Sequence, residues 1–249
     1  MVATVHRTAT GDWGQLPLPK MTNAADKIIV ALDVPSRKEM LRLVEQLRPK
    51  ISFFKIGLQL YTAEGPEIVR AVTSTGAKAW LDLKLHDIPN TVARAVESAN
   101  ELGVRLLTIH LSGGGEMIRA AAKAKRGEIS ILGVTVLTSS TEATLREIGV
   151  AGTIEDQVLR LAKLGVENGI DGLVASPREI KRLREQFGHK IKIVVPGIRP
   201  SWADSGDQKR FMSPREAIDA GVDYLVIGRP ITGHGNPKEA LEKILQELK

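Results

Sequence analysis

The 249-residue chain contains no cysteine, few aromatic residues and no long apolar run. Because it has no cysteine, it has no disulfide framework, and a reducing cytoplasm is the simplest compartment for it. No apolar stretch approaches the ~20 residues that a membrane span requires, and the N-terminus lacks the continuous apolar segment of a signal peptide. We therefore predict a soluble cytoplasmic protein without a membrane partner.

Basic residues outnumber acidic ones by 35 to 29, which gives a formal net charge of +6. Such an excess is compatible with a nucleic-acid surface, an anionic substrate or neither. The basic residues are scattered along the chain, and the aromatic residues, which make up 4% of it, are not interleaved with them. The pattern therefore argues against nucleic-acid binding.

Residues 1–24 show no sustained apolar period and carry Gly11, Pro17 and Pro19. We interpret them as a flexible N-terminal extension outside the fold. Residues 25–249 have a length typical of a single catalytic domain. The sequence thus predicts one domain that follows a short extension.

From residue 28 onward, short β-rich runs alternate with segments of helical period. Eight such pairs predict an α/β protein with a (β/α)8 TIM barrel, since the alternative, an open doubly wound sheet, rarely holds eight parallel strands so regularly. In a barrel of this kind, function is expected at the carboxyl ends of the strands. The predicted strands are 28–33, 51–56, 78–83, 105–110, 130–136, 171–175, 191–195 and 222–227; the predicted helices are 36–48, 64–75, 90–103, 114–125, 141–148, 154–169, 177–187, 213–220 and 237–248.

Four charged residues lie at the ends of the first three predicted strands: Asp33, Lys55, Asp82 and Lys84. Residues two apart in a strand share a face, so Asp82 and Lys84 should project together. The four side chains are then expected to meet at the barrel mouth with alternating charge. Ordinary rim salt bridges are the alternative, but buried ion pairs seldom improve on apolar packing in net stability. Helix capping is better assigned to Ser36, so the charges point to a functional site.

A second cluster follows strands seven and eight, whose loops are the recurrent phosphate site of this fold. Glycine lets backbone N–H groups approach a phosphate, and arginine supplies a charged fork. Gly197, Arg199, Gly228 and Arg229 fit this use, although they could also be plain turn residues.

The segment between Pro196 and Pro214 is long and mostly polar. Loops of this length are often lids, and Arg199 and Gln208 are suitably placed to close over a phosphoester; the alternative is an idle insertion. Thr138, at the end of strand five, could hydrogen-bond a substrate heteroatom.

The segment Asp82-Leu83-Lys84-Leu85-His86-Asp87-Ile88-Pro89-Asn90-Thr91 resembles the D-x-K-x-x-D-I-P-x-T signature of the orotidine 5'-phosphate decarboxylase family. The similarity extends from residue 28 to the C-terminus, and separated motifs recur in order on the predicted strand ends. These further motifs are Ala31-Leu32-Asp33, Lys55-Ile56-Gly57, Leu137-Thr138-Ser139, Pro196-Gly197-Ile198-Arg199, Gln208 and Gly228-Arg229-Pro230.

The resemblance implies a homodimeric barrel that converts orotidine 5'-phosphate to UMP and carbon dioxide, the last step of pyrimidine nucleotide synthesis, without metal or organic cofactor. It implies that Lys84 is the proton donor and that Asp82 faces the substrate carboxylate. Lys55 would join the charge network and contact the ribose region, and Asp33 would bind the ribose.

The resemblance also implies roles at the edges of the site. Asp87, Ile88 and Thr91 would reach into the neighbouring subunit's site, so each site would need both chains. Thr138 would lie beside the pyrimidine. The substrate phosphate would be held by the loop that begins at Pro196 and by Arg199, Gln208, Gly228 and Arg229.

Two other functions are compatible with parts of the sequence. Relatives that act on sugar phosphates through Mg²⁺, such as keto-gulonate phosphate decarboxylase or hexulose phosphate synthase, share the strand around Asp82 but have an acidic metal ligand at the end of strand two. This chain has Lys55 there, and a lysine repels a divalent cation. A non-catalytic phosphate-binding barrel is the other alternative, but it has no use for a lysine between two carboxylates.

Overall fold

The structure is a computed structural model that describes residues 24–203 and 212–248. The predicted extension lies outside the described residues except for Ala24, which begins a short 3-10 helix, Ala24–Lys27. Gln208 also lies outside them. In the part of the chain that the structure describes, no helix is long and apolar enough to cross a membrane.

Eight parallel strands form a closed barrel in which each strand pairs with its neighbours in sequence and the last pairs with the first. The predicted (β/α)8 TIM barrel is therefore confirmed. All eight strands lie within a few residues of their predicted positions. They are β1 Ile28–Ala31, β2 Phe53–Gly57, β3 Lys78–Leu85, β4 Leu106–His110, β5 Ser130–Val134, β6 Gly172–Val174, β7 Lys192–Val195 and β8 Tyr224–Ile227.

The helices surround the barrel, and every predicted helix is present. Two short helices directly after β2 and β8 were not predicted, because so few residues show no clear helical period. The helices are α1 Arg37–Leu47, α2 Leu58–Glu64, α3 Glu67–Thr73, α4 Pro89–Glu101, α5 Gly114–Ala124, α6 Glu142–Glu147, α7 Ile154–Glu167, α8 Ile180–Phe187, α9 Pro214–Asp219, α10 Arg229–Thr232 and α11 Pro237–Glu247.

Helix starts follow simple capping chemistry. The Ser36 hydroxyl accepts a hydrogen bond from the backbone N–H of Glu39 at 3.4 Å, so Ser36 is the N-cap of α1. Ser213 forms a full capping box with Glu216 at the start of α9. With Ser36 capping α1, Asp33 is not needed for that role.

Apolar side chains form two cores. One lies between the barrel and the helices, and the other fills the barrel interior with residues that include Phe53, Trp80 and Leu106. Two residues beyond Phe53, Trp80 and Leu106, toward the carboxyl ends of β2, β3 and β4, the side chains that face the barrel interior are polar. The residues at that level are Lys55, Asp82 and Thr108, all of them buried.

Candidate active site

A cavity of about 320 Å³ opens at the carboxyl ends of the strands, above the apolar interior layer. This is the end of the barrel at which function was expected. Residues from both predicted clusters line it, from the strand ends on one side and from the loops after β7 and β8 on the other. They are Asp33, Lys55, Asp82, Lys84, Thr138, Pro196, Gly197, Arg199, Gly228 and Arg229.

Asp33, Lys55, Asp82 and Lys84 form a continuous chain of alternating charge, which we call the charge network. The Lys55 ammonium lies 3.0 Å from Asp33 Oδ1 and 3.5 Å from Asp82 Oδ2. The Lys84 ammonium lies 3.0 Å from each Asp82 oxygen. The side chains of Lys55 and Asp82 are only 11% and 10% exposed, whereas that of Asp33 is 55% exposed. The network thus runs from solvent into the cavity wall.

Gly57, the last residue of β2, provides space for the first ion pair of this network. A Cβ atom at this position would lie 2.8 Å from Asp33 Oδ1 and 3.1 Å from the Lys55 ammonium. A side chain at this position would require the Asp33 carboxylate, and to a smaller extent the Lys55 ammonium, to shift from the positions they occupy. The sequence Lys55-Ile56-Gly57 therefore combines the cation with the space that its partner requires.

The strand that carries Asp82 and Lys84 is irregular where they lie. Lys84 has φ 51°, in the left-handed region, and it is the one non-glycine residue with positive φ among the described residues. Such a conformation costs about 1–3 kcal/mol and persists only where the surrounding structure holds it. Simple strand alternation correctly predicted the contact between Asp82 and Lys84, but the strand has a bulge there and continues to Leu85.

Thr108 on β4 belongs to the network and was missed in the sequence. Its hydroxyl donates to Asp82 Oδ1 at 2.8 Å and accepts from the Lys84 backbone N–H at 3.0 Å. The side chain is completely buried. A signal was available, because Leu106, Thr108 and His110 share one face of β4 and two of the three are polar.

Two histidines lie beside the network. The rings of His86 and His110 are 5.6 Å apart between centroids. The pKa of His110 is held below its ordinary value by burial first and then by the charges of His86 and Lys84, while Asp82 acts in the opposite direction. The neutral form of His110 is therefore favoured next to the Lys84 ammonium.

The phosphate-loop candidates lie across the cavity from Asp82. Arg199 is buried, and its guanidinium donates to the Ile198 carbonyl at 3.0 Å. Its backbone N–H donates to the Met212 carbonyl at 2.9 Å, so the two ends of the long polar segment are joined. Arg229 is exposed and begins α10 directly after Gly228.

Asp87, Ile88 and Thr91 lie outside the cavity, exposed on the rim where α4 begins. The Asp87 carboxylate accepts the adjacent Ile88 N–H at 2.6 Å. Ile88 is 66% exposed, so this apolar residue faces solvent in the single chain. Within its own chain, the ion-pair partner of Lys84 is therefore Asp82 and not Asp87.

Comparison with known proteins places these residues in a family. Residues 26–244 match the Orotidine 5'-phosphate decarboxylase / HUMPS family. The chain belongs to this family. The match covers all eight strands and both sides of the cavity.

Curated relatives in the family are similar to the chain over nearly their whole length. The orotidine 5'-phosphate decarboxylase of Trichlorobacter lovleyi is 48% identical over 90% of this chain and 96% of its own. That of Pelobacter propionicus is 49% identical over the same shares of both chains. The crystal structure of orotidine 5'-phosphate decarboxylase from Lactobacillus acidophilus superposes with a TM-score of 0.80 at 34% identity and covers 90% of this chain and 99% of that one.

In this member of the orotidine 5'-phosphate decarboxylase / HUMPS family, the D-x-K-x-x-D-I-P-x-T signature is divided between two places. Asp82 and Lys84 face the cavity from the bulged end of β3. Asp87, Ile88 and Thr91 follow on the exposed rim. A single short segment thus contributes to the cavity and to a surface beside it.

Proposed function

We propose that the chain decarboxylates orotidine 5'-phosphate to UMP and carbon dioxide, in the last step of UMP synthesis, without metal or organic cofactor. The observation that carries the proposal is the pair formed by Asp82 and Lys84 in a cavity whose far side carries Arg199 and Arg229. The curated relatives' names support the choice of substrate. The cytoplasmic location stays a prediction from the sequence.

The Lys84 ammonium matches what this reaction demands. When the bond to the carboxylate breaks, carbon dioxide leaves and the electron pair stays on the pyrimidine carbon, in an orbital that the ring π-system does not accept. A cation fixed beside that carbon stabilises the developing charge. Lys84 then transfers a proton to the same carbon and regains one from solvent, while Asp82, 3.0 Å away, orients its ammonium.

Binding of substrate groups away from the reacting carbon also has to contribute to the rate. Each tenfold of rate needs about 1.4 kcal/mol, and one lysine does not supply the ~20 kcal/mol of the most proficient enzymes. A phosphate held by Arg199, Gln208, Gly228 and Arg229 would use its binding energy to fix the pyrimidine against Lys84. Asp33 and Lys55 would hold the ribose, and Thr138 would lie beside the ring.

We further infer that the working form is a homodimer in which Asp87, Ile88 and Thr91 enter the neighbouring site. Their exposure on the rim supports this inference, as does the absence of an ion pair between Asp87 and Lys84 within the described chain. Inactive Asp87→Ala and Lys84→Ala chains, mixed and exchanged, should regain activity at about a quarter of the sites, since each hybrid has one intact site. If exchange is demonstrated and activity stays absent, the shared site is wrong.

The metal-dependent alternative places a divalent cation between carboxylates. In this chain the Lys55 ammonium already lies between Asp33 and Asp82. Among residues 24–203 and 212–248, no three His, Cys, Asp or Glu side chains are grouped to hold a metal ion. A lysine at that place disfavours Mg²⁺, which binds through carboxylates.

The experiment that tests the proposed function is the release of carbon dioxide from orotidine 5'-phosphate by purified protein in excess chelator. We expect full turnover and formation of UMP. Activity that vanishes after exhaustive chelation and returns with Mg²⁺ would favour the metal-dependent alternative. No turnover of orotidine 5'-phosphate under either condition would refute the proposal.

A further inference from the structure

The ladder between β3 and β4 has a gap where the charge network lies. Leu81 pairs with Leu107, and the next pair is Leu85 with Ile109. Four steps along β3 thus correspond to two along β4, whereas a regular parallel ladder advances equally on both strands. Thr108 is the one β4 residue that faces residues 82–84, so it is the available β4 partner for a segment that has lost its regular pairing.

The Thr108 side chain fills this gap. A hydroxyl has one donor and can accept as well. The Thr108 oxygen accepts a hydrogen bond from the Lys84 backbone N–H at 3.0 Å. The hydroxyl proton of Thr108 is therefore available to donate to Asp82 Oδ1, 2.8 Å away. With the side chain fully buried, water does not replace either bond. One hydroxyl therefore ties the backbone of the lysine to the carboxylate that pairs with the same lysine's ammonium.

We infer that Thr108 is a positioning residue for the Asp82–Lys84 pair, an inference that rests on the proposed function. Lys84 has φ 51°, a conformation that needs support from its surroundings. The hydrogen bond from Thr108 holds the Lys84 N–H in that conformation, and the second bond fixes the Asp82 carboxylate. Thr108 acts through these two residues and lines no part of the cavity.

The test uses three variants of the full-length protein. Thr108→Val removes the hydroxyl and keeps the shape, and Thr108→Ser keeps the hydroxyl. Thr135→Val is the matched control, because Thr135 is also buried but its hydroxyl donates to the backbone carbonyl of Val174 at 3.2 Å and not to a member of the charge network. Both valine variants lose one buried hydroxyl, but Thr108→Val loses two hydrogen bonds and Thr135→Val loses one, so denaturant unfolding of both variants is measured beside kcat to separate a loss of stability from a loss of positioning.

With orotidine 5'-phosphate as substrate, kcat of Thr108→Val should fall about 10–100-fold, as expected for losing a hydrogen bond to a charged group. KM and the inhibition constant of UMP should stay within about twofold, because phosphate and ribose contacts remain. Thr108→Ser should recover kcat to within about fivefold of the unsubstituted protein. If kcat of Thr108→Val equals that of Thr135→Val, the inference is overturned.

A second readout does not depend on the reaction. Hydrogen exchange of the peptide that contains Lys84 should be faster in Thr108→Val than in Thr135→Val, because its amide has lost its acceptor. If the unsubstituted protein does not turn over orotidine 5'-phosphate, the proposed function fails, and exchange alone then decides the positioning role. Equal exchange in the two valine variants would overturn that role.

Discussion

Buried or half-buried ion pairs lie at both ends of the barrel, but their partners differ. At the carboxyl end, the charge network joins side chains to one another around the cavity. At the amino end, Asp171 and Asp223 directly precede β6 and β8, and each accepts a backbone N–H of the preceding strand. We call Lys125–Asp171 and Arg184–Asp223 the lower-rim pairs.

The lower-rim pairs mainly satisfy backbone groups. Asp223 accepts the Ile193 N–H at 2.6 Å and pairs with Arg184. The Arg184 side chain is 10% exposed and donates to three backbone carbonyls, those of Gly188, Ile191 and Gly221. Each lower-rim pair therefore connects the start of one strand to the strand before it.

The same chemistry therefore serves two purposes. A charge whose partners are backbone groups stabilises the chain around it, and removing it leaves buried polar groups unpaired. A charge whose partners are other charges beside a cavity adds little net stability and is available to a substrate. Substitutions at the two ends should accordingly separate activity from stability.

Lys84→Ala should give the largest effect. We expect kcat to fall by at least about 10⁴-fold, because the proton donor and the stabilising cation are lost together. UMP should still bind, and the unfolding free energy should change by less than about 1 kcal/mol, since Asp82 keeps Lys55 and Thr108. Steady-state kinetics, UMP inhibition and denaturant unfolding measure the three quantities. Substantial residual turnover would refute the role of Lys84.

Asp223→Ala should show the opposite pattern. It leaves the mostly buried Arg184 charge without its carboxylate, although the three carbonyl contacts remain, and it leaves the Ile193 N–H without its acceptor. We therefore expect a loss of about 2–4 kcal/mol in unfolding free energy with kcat within about threefold. Asp171→Ala is the matched variant, and its loss should be smaller because the Lys125 side chain is 25% exposed and better hydrated. Denaturant unfolding of both variants, with kinetics on the folded protein, checks this order. Equal losses in the two variants would contradict the argument that the more deeply buried cation costs more stability when it loses its carboxylate.

Sequence reasoning located the charge network because the patterns that indicate it lie among neighbouring residues. Strand periodicity and the spacing of Asp82 and Lys84 are both properties of neighbouring residues. The bulge, the left-handed Lys84 and the role of Thr108 depend on the register between β3 and β4, which tertiary packing sets. Asp223 was missed for the same reason, since its partners Arg184 and Ile193 lie 39 and 30 residues away.

Arg229→Ala tests whether an exposed charge at the carboxyl end of the barrel binds the substrate phosphate. We expect KM for orotidine 5'-phosphate to rise about 10–100-fold, the cost of one charge-assisted phosphate contact. Stability should not change measurably, as is usual for exposed residues. Arg70→Ala, at an exposed ion pair with Glu67 on α3, is the control and should leave KM unchanged. An unchanged KM in Arg229→Ala would contradict the phosphate assignment.

The smallest expected effect is a pH dependence of the unfolding free energy that comes from His110, beside the charge network at the carboxyl end of the barrel. Burial, and then the charges of His86 and Lys84, lower the pKa of His110 in the folded state, while Asp82 raises it by a smaller amount. The folded protein therefore binds fewer protons than the unfolded chain, in which histidine titrates near ~6.5. Stability that is complete above that pH should be lost as the pH falls through and below it.

His110→Gln should remove this part of the pH dependence. The change is expected to be a few tenths of a kcal/mol, because His110 is only half buried and water screens the nearby charges. His189→Gln is the matched control, since His189 is exposed and precedes β7 at the lower end. Denaturant unfolding at pH values from about 5 to 8 compares both variants with the unsubstituted protein. If the two variants reduce the pH dependence of stability equally, the effect does not come from the position of His110 beside the charge network.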